Sequence, residues 1–284
     1  MRMAKRWTVG LCACALLCAG GAVARAGDAP PVPVAPAANP TPTGEEPELT
    51  GEAKDKYAKE LKAHLEALRT EKNLEIVRGT IQRIGSSGTR AGRDALMVFA
   101  TGNKNQEFVS ESFKALAKIK DKKSIEFLCG KSALRSGDFL VQQAAADALG
   151  EARSPLAVGP LLDVLTAPTT KIEITGSVSK AVARSAPKDE RVVETLFKLA
   201  DGVKDTIRAN AMEALGYLGT DKAMDKLKDA LVNDKNTRVR GAAATGMMNS
   251  KRKDMIPALE GALKLDKAMT VRDAIQRALT ELSK

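Results

Sequence analysis

Beyond residue 51 the apolar positions of the chain recur with a long period. Ile76, Phe108, Val141, Ile174, Ile207, Val239 and Val271 follow one another at gaps of 32, 33, 33, 33, 32 and 32 residues. Each of these anchors is followed eight residues later by a second apolar residue: Ile84, Leu116, Leu149, Val182, Leu215, Met247 and Leu279. The position just before that second residue holds Arg83, Ala115, Ala148, Ala181, Ala214, Gly246 and Ala278, small in six of seven copies. Offsets of 0, 4, 7, 8 and 11 share one face of a helix with 3.6 residues per turn. The pattern therefore predicts seven anchor helices whose packed faces carry small side chains, as helices need when they stack closely on neighbours of their own kind.

Second amphipathic stretches alternate with the anchors, at Leu61–Leu68, Leu96–Ala100, Ile125–Leu134, Leu156–Leu165, Val192–Leu199, Met224–Leu231 and Ile256–Leu265. Each repeat thus reads as a helical hairpin. Ser154-Pro155 is a helix-start signal, and Gly202 and Gly219 are helix-end signals. Pro160 and Pro257 both fall 14 residues before an anchor, inside partner helices by this reading, and their shared phase predicts a bend built into the repeat.

Four segments carry a family resemblance: LVQQAAADALG (140–150), TIRANAMEALGYLG (206–219), RVRGAAATGMM (238–248) and TVRDAIQRALTEL (270–282). They resemble the second helix of HEAT repeats, in particular the HEAT-like repeats named after phycobilin lyases. The likeness extends over most of residues 52–284. It implies an all-α, right-handed α-solenoid of about seven antiparallel helix pairs, with the anchor helices on the concave side. It also implies that Arg208, Arg240 and Arg272, which directly follow their anchors, pair with acidic groups between adjacent repeats; Asp205 stands close to Arg208 in sequence.

The amino-terminal 51 residues have a different character. Arg2, Lys5 and Arg6 precede an apolar run, Val9–Ala19, and Ala24-Arg25-Ala26 supplies small residues for cleavage, the layout of a secretory signal over 1–26. The run is shorter than the roughly 18 residues a membrane span needs. Leu17 before Cys18 does not suit a lipoprotein signal, which argues against a lipid anchor. Residues 27–51 contain seven prolines and read as an extended or disordered linker. Residues 52–284 form the repeat domain.

Removing the expected signal takes four of the 45 basic and none of the 35 acidic residues, so the formal charge falls from +10 to +6. It also takes the sole tryptophan, Trp7, and three of the four cysteines, leaving Cys129 without an intramolecular partner. Cys129 sits beside Ile125, Phe127 and Leu128 and is expected to be a small core residue. The single histidine, His64, keeps helical spacing with Leu61, Leu65 and Leu68 and is expected to be packed or half-buried. No second His or Cys stands at metal-ligand spacing from it. Gly85–Arg93 has the glycines of a phosphate loop but not the Gly-Lys-Ser/Thr ending, so it is expected to end one helix and begin another. No catalytic, cofactor or metal residues are assigned.

A stacked helical array offers surface rather than an enclosed pocket. Six residues past each anchor the outward positions are Gln82, Lys114, Asp147, Lys180, Glu213, Thr245 and Arg277, the candidate partner-contact row. Three basic, two acidic and two neutral residues suit a protein or peptide better than a phosphate backbone, which rewards a continuous basic stripe. The expectation is an exported, periplasmic or secreted, monomeric, non-catalytic scaffold or adaptor of the cell envelope. An accessory or lyase-like subunit acting on a chromophore or partner enzyme is the alternative, with nucleic-acid binding behind it.

Overall fold

A computed structural model describes residues 51–71 and 73–284. The expected signal, 1–26, and all of the Pro-rich linker but Gly51 lie outside the described residues. What is described is all helical, with no strand, and its helices follow one another as hairpins: α1 (Glu52–Thr70) and α2 (Leu74–Ser86), α3 (Arg90–Gly102) and α4 (Gln106–Ile119), α5 (Lys122–Leu128) and α6 (Phe139–Ala152). The order continues with α7 (Val158–Thr166) and α8 (Ile172–Ser185), then α9 (Glu190–Ala200) and α10 (Asp205–Leu218). It ends with α11 (Asp221–Asn233) and α12 (Thr237–Ser250), then α13 (Ile256–Leu265) and α14 (Met269–Leu282). The architecture is an α-solenoid.

All seven anchors fall in even-numbered helices, each as the third residue of its helix. The reason is visible just upstream, where the same local chemistry recurs. Five residues before the anchor, Glu71, Asn103, Ser136, Asp234 and Asp266 accept a hydrogen bond from the backbone two residues on. Asn73, Asn105, Asp138 and Asn236 then cap α2, α4, α6 and α12 through their side chains. Such caps satisfy amide groups that the first helical turn leaves without partners.

The anchors themselves are less uniform than their spacing predicts. Ile174, Val239 and Val271 are buried, Phe108, Val141 and Ile207 are half-buried, and Ile76 is 49% exposed. The rows that always point inward begin one turn later. Four residues past the anchor, Thr80, Ser112, Ala145, Val178, Ala211, Ala243 and Ile275 are buried in every copy. Eight residues past it the apolar side chain is buried in all but Leu279 on the last helix.

The even-numbered helices pack directly on one another from α2 through α14, whereas the odd-numbered helices hold mainly to their own hairpin partners. Small residues make the close side possible. The residue nine past one anchor meets the residue seven past the next: Gly85 meets Ala115, Gly150 meets Ala181, and Gly216 meets Gly246. A Cβ added at Gly150 would stand 3.0 Å from the Ala181 backbone, and one at Gly216 would overlap the Gly246 carbonyl oxygen. Arg83, the one large residue at the seventh offset, belongs to α2, where no earlier even-numbered helix precedes it, and it is exposed.

Two expectations need correction. Pro160 and Pro257 are not in helix interiors. They are the third residue of α7 and the second of α13, each just after a 3-10 turn, Pro155–Ala157 or Lys253–Met255. A first-turn proline gives up an amide that has no helical acceptor, so it stays without forcing a kink. The hydroxyl of Ser154 makes no capping bond. The stretch Ile125–Leu134 is not one helix either: α5 stops at Leu128, and Gly130 to Arg135 form turns that still bury Ala133 and Leu134.

The packing yields a stability prediction. Ala148 and Ala214 have no exposed surface, so Ala148→Glu or Ala214→Glu is expected to cost several kcal/mol (about 3 or more) by burying an unpaired carboxylate at a helix contact. Gly216→Ala is expected to cost about 1–3 kcal/mol through overpacking. Gly261→Ala, at a helical site where an added Cβ meets nothing within 4 Å, is expected to gain about 0.5–1 kcal/mol. Urea denaturation of the four variants checks the register, which unchanged midpoints for the first three would overturn.

Candidate functional site

A layer of helices that touch closely on one side and splay on the other curves toward the close side. The even-numbered helices therefore line the inner face, and the outward positions of those helices are the surfaces a partner meets there. Gln82, Asp147 and Arg277 of the expected contact row are exposed, and Lys114, Lys180, Glu213 and Thr245 are half-buried. Part of the row is already engaged within the chain. Lys114 Nζ pairs with Glu111 Oε1 at 2.9 Å, Lys180 Nζ lies 3.9 Å from Glu213 Oε2 across a repeat boundary, and Thr245 Oγ1 donates to the Gly241 carbonyl at 3.1 Å.

The structure gathers only some of these residues into concavities. Gln82 and Lys114 border a small depression of about 190 Å³ between α2 and α4. Arg277 belongs to an open cleft of about 1070 Å³ whose lining is drawn from five successive repeats. Most of that lining lies one turn beyond the expected row: Arg184 on α8, Tyr217 on α10 and Asn249 on α12 all stand ten residues past their anchors. Arg153 and Lys251 close the helix ends at the twelfth offset. Sequence reasoning missed this second row. Its signal is a residue of the same phase as the contact row, four positions later, which an amphipathic helix places directly above it.

Arg208 and Arg240 are structural. Arg208 Nη2 meets Asp205 Oδ1 at 2.8 Å and Asp234 Oδ1 at 3.1 Å, and its Nη1 donates to the carbonyls of Gly202 and Val203. Arg240 repeats the arrangement one copy later, with Nε 2.5 Å from Asp266 Oδ2 and Nη1 donating to the Asp234 carbonyl. Each arginine thus joins its own inter-helix loop to the next one, 26 residues along. Arg272 donates to the Leu263 and Asp266 carbonyls. Another such tie escaped the sequence reading. Arg93 on α3, 2% exposed, pairs with Asp121, the residue that caps α5.

The remaining chemistry-bearing residues fall where the spacing put them. His64 is half-buried on α1. Cys129 is half-buried against the core, and burial pushes its thiol up to about 11, which keeps it protonated and unreactive near neutrality. In Gly85–Arg93, α2 ends, Gly88 takes a left-handed turn at φ 64°, and Thr89 caps α3 by accepting from the Gly92 amide at 3.1 Å. Tyr57 from α1 ties the connection down, with its hydroxyl 2.9 Å from Ser87 Oγ and 2.6 Å from Thr89 Oγ1. Among the described residues no group of three or more His, Cys, Asp or Glu is placed to hold a metal ion. No described helix is long and apolar enough to cross a membrane.

Stacked hairpins with small residues at the seams and arginine ties between loops define a helical-repeat solenoid. Residues 193–280, from α9 into α14, match the family model for HEAT repeats. Solved structures that the chain resembles include human deoxyhypusine hydroxylase in complex with glycerol, at 17% identity and TM-score 0.41 over 81% of this chain and 98% of that one. They also include the complex of CpcE and CpcF of phycocyanin lyase from Nostoc sp. PCC7120, at 16% identity and TM-score 0.48 over 87% and 100%. A third is Kap121p, at 15% identity and TM-score 0.41 over 81% of this chain and 26% of that one. At these scores none of the three bears on activity. No curated protein matches the chain.

The arginine ties generate a pH prediction. The Arg240 guanidinium holds the Asp266 carboxyl below the ordinary carboxylate value. A carboxyl depressed in the folded state stabilises above its unfolded pKa of about 3.9, and that contribution is lost as pH falls through the folded value. Asp266→Asn is therefore expected to lower stability by about 1–2 kcal/mol at pH 7, with the gap to the parent narrowing at an acid pH well below the unfolded value. Urea midpoints at the two pH values measure it, and a gap of equal size at both would contradict the role of the ionised pair.

Proposed function

We propose that the chain is an exported, non-catalytic scaffold that holds a protein partner along the inner face of its solenoid. The observation that carries this reading is the open cleft of about 1070 Å³ shared by five successive repeats. A small substrate is held by convergent groups in an enclosed site. A long, open face with polar residues of both signs instead suits an extended or helical segment of another protein. The match to HEAT repeats over 193–280 supports the same reading. Export rests on the layout of residues 1–26, and the proline-rich residues 27–51 then act as a spacer between the solenoid and its point of attachment or entry.

Photo-crosslinking in the native cell tests the proposal. A benzophenone amino acid at Asp147 or Glu213, on the inner row, is expected to trap a discrete protein adduct from the envelope fraction. The same group at Asp229 or Glu260, on the odd-numbered helices α11 and α13, is expected to trap none. Equal adducts from both faces, or none from the inner one, would overturn it. An adduct made only of a second copy would replace the adaptor reading by self-assembly.

A further inference from the structure

The cleft between α6 and α14 has an electrostatic bias that the rest of the inner face lacks. Five basic residues line it, Arg153, Arg184, Lys251, Lys253 and Arg277, against two acidic ones, Asp273 and Glu281. None of the five makes an ion pair or a side-chain hydrogen bond within the described residues. The arginines that join loop to loop are used up in the fold, Arg208 and Arg240 among them. Those of the cleft are not. Glu281 is engaged by Lys284 at 2.5 Å, so its charge is partly answered already.

Arg184 is the most constrained of the set. Its Nε atom is buried and has no hydrogen-bond partner, and its guanidinium carbon lies 5.7 Å from the centre of the Tyr217 ring. A buried N–H donor without an acceptor is costly, and the chain itself supplies none to this atom. At 5.7 Å the guanidinium is within cation–π reach of the Tyr217 ring. Met248 and the Tyr217 ring give the same cleft apolar surface.

We infer that this cleft binds an acidic, extended segment of a partner protein, with carboxylates of the segment meeting Arg184, Lys251 and Arg277. The inference rests on the scaffold reading and specifies the chemistry of its partner. Charge complementarity selects the occupant. A net +3 within the cleft matches a few carboxylates, whereas the expected row one turn away on the same helices carries mixed signs, so the face offers no continuous track for a run of phosphates. Helices packed at roughly 8–10 Å place α6 and α14 about 30–40 Å apart along the stack. About ten to twelve residues of extended peptide span that distance at roughly 3.3 Å each.

The test uses the full chain and a fluorescein-labelled 12-residue peptide of alternating Glu and Ala, read by anisotropy. The same peptide with Gln for Glu, a 12-nucleotide oligothymidylate and vesicles containing anionic lipid are the other arms. The Glu peptide is expected to bind at least about tenfold more tightly than the Gln peptide and to weaken with salt. Arg184→Glu with Lys251→Glu is expected to abolish that preference. Because the Arg184 stem is part-buried, Lys251→Glu with Arg277→Glu serves as a second variant. Lys198→Glu with Lys264→Glu, which changes net charge equally on exposed sites of α9 and α13, is expected to retain it. Equal binding of the two peptides, no binding of either, tighter binding of the oligonucleotide or vesicles through the same residues, or equal loss in the charge-matched control would each overturn the inference. If that happens while inner-face crosslinks to a protein persist, the scaffold reading stands and only the acidic segment falls. Loss of those crosslinks with the Glu preference intact is the converse case.

Discussion

The constraint on which the rest of this structure depends is the distance at which one even-numbered helix can approach the next. That distance is set at a single recurring seam, where the residue nine past one anchor faces the residue seven past the following one. Gly85 against Ala115, Gly150 against Ala181 and Gly216 against Gly246 are the observed close contacts. With side chains of one carbon or none at these contacts, backbones meet almost directly, and the larger apolar residues at the eighth offset are left to fill the remaining core space. No comparable seam joins the odd-numbered helices, so the array shortens on one side only. Curvature, and with it the inner face, follows from side-chain size.

A second device acts on the loops. Arg208 reaches forward to Asp234 and Arg240 to Asp266, while each guanidinium also takes carbonyls of its own loop. Asp234 and Asp266 do double service, because they also accept from the backbone two residues on and so shape the entry to the next helix. The desolvation cost of a half-buried arginine is offset when all its donors are directed in this way. The seam sets the spacing between repeats, and the arginine ties join the loops of the last three. Both act between nearest neighbours alone, which is how a solenoid gathers stability without a central core.

Much of this was legible in the chain because apolar spacing and residue size are what periodicity records. The seven anchors locate seven helices, and Ala or Gly before the eighth offset locates the seam. The anchor position was the poorer guide to burial. It is the third residue of its helix, at an end that the next hairpin does not always cover, so Ile76 lies exposed while Ile174 lies in the core. The prolines misled because the pattern does not show where a 3-10 turn gives way to an α-helix. The cleft was not legible at all. Its second row reads Ser86, Lys118, Glu151, Arg184, Tyr217, Asn249 and Glu281 at the tenth offset, a set with no common character. Its members become a site only when curvature brings the last five repeats around one space.

The helix ends at the twelfth offset bear on whether that cleft is incidental. Gly88 and Gly219 hold the left-handed conformation there at no steric cost, but Lys120, Arg153 and Lys251 hold it too, with φ between 53° and 60°. A side chain in that region costs about 1 kcal/mol, and a cation at a helix C-terminus recovers about 0.3–1 kcal/mol from the helix dipole. For the fold alone the exchange is close to neutral, and glycine would serve as well. Two of the three basic caps, Arg153 and Lys251, stand on the rim of the 1070 Å³ cleft, where neither makes an ion pair among the described residues and Lys251 feels the Glu281 carboxylate only at longer range. A residue that brings the fold little and still places an unanswered positive charge at the edge of a binding surface is most simply understood by what it offers to something outside the chain.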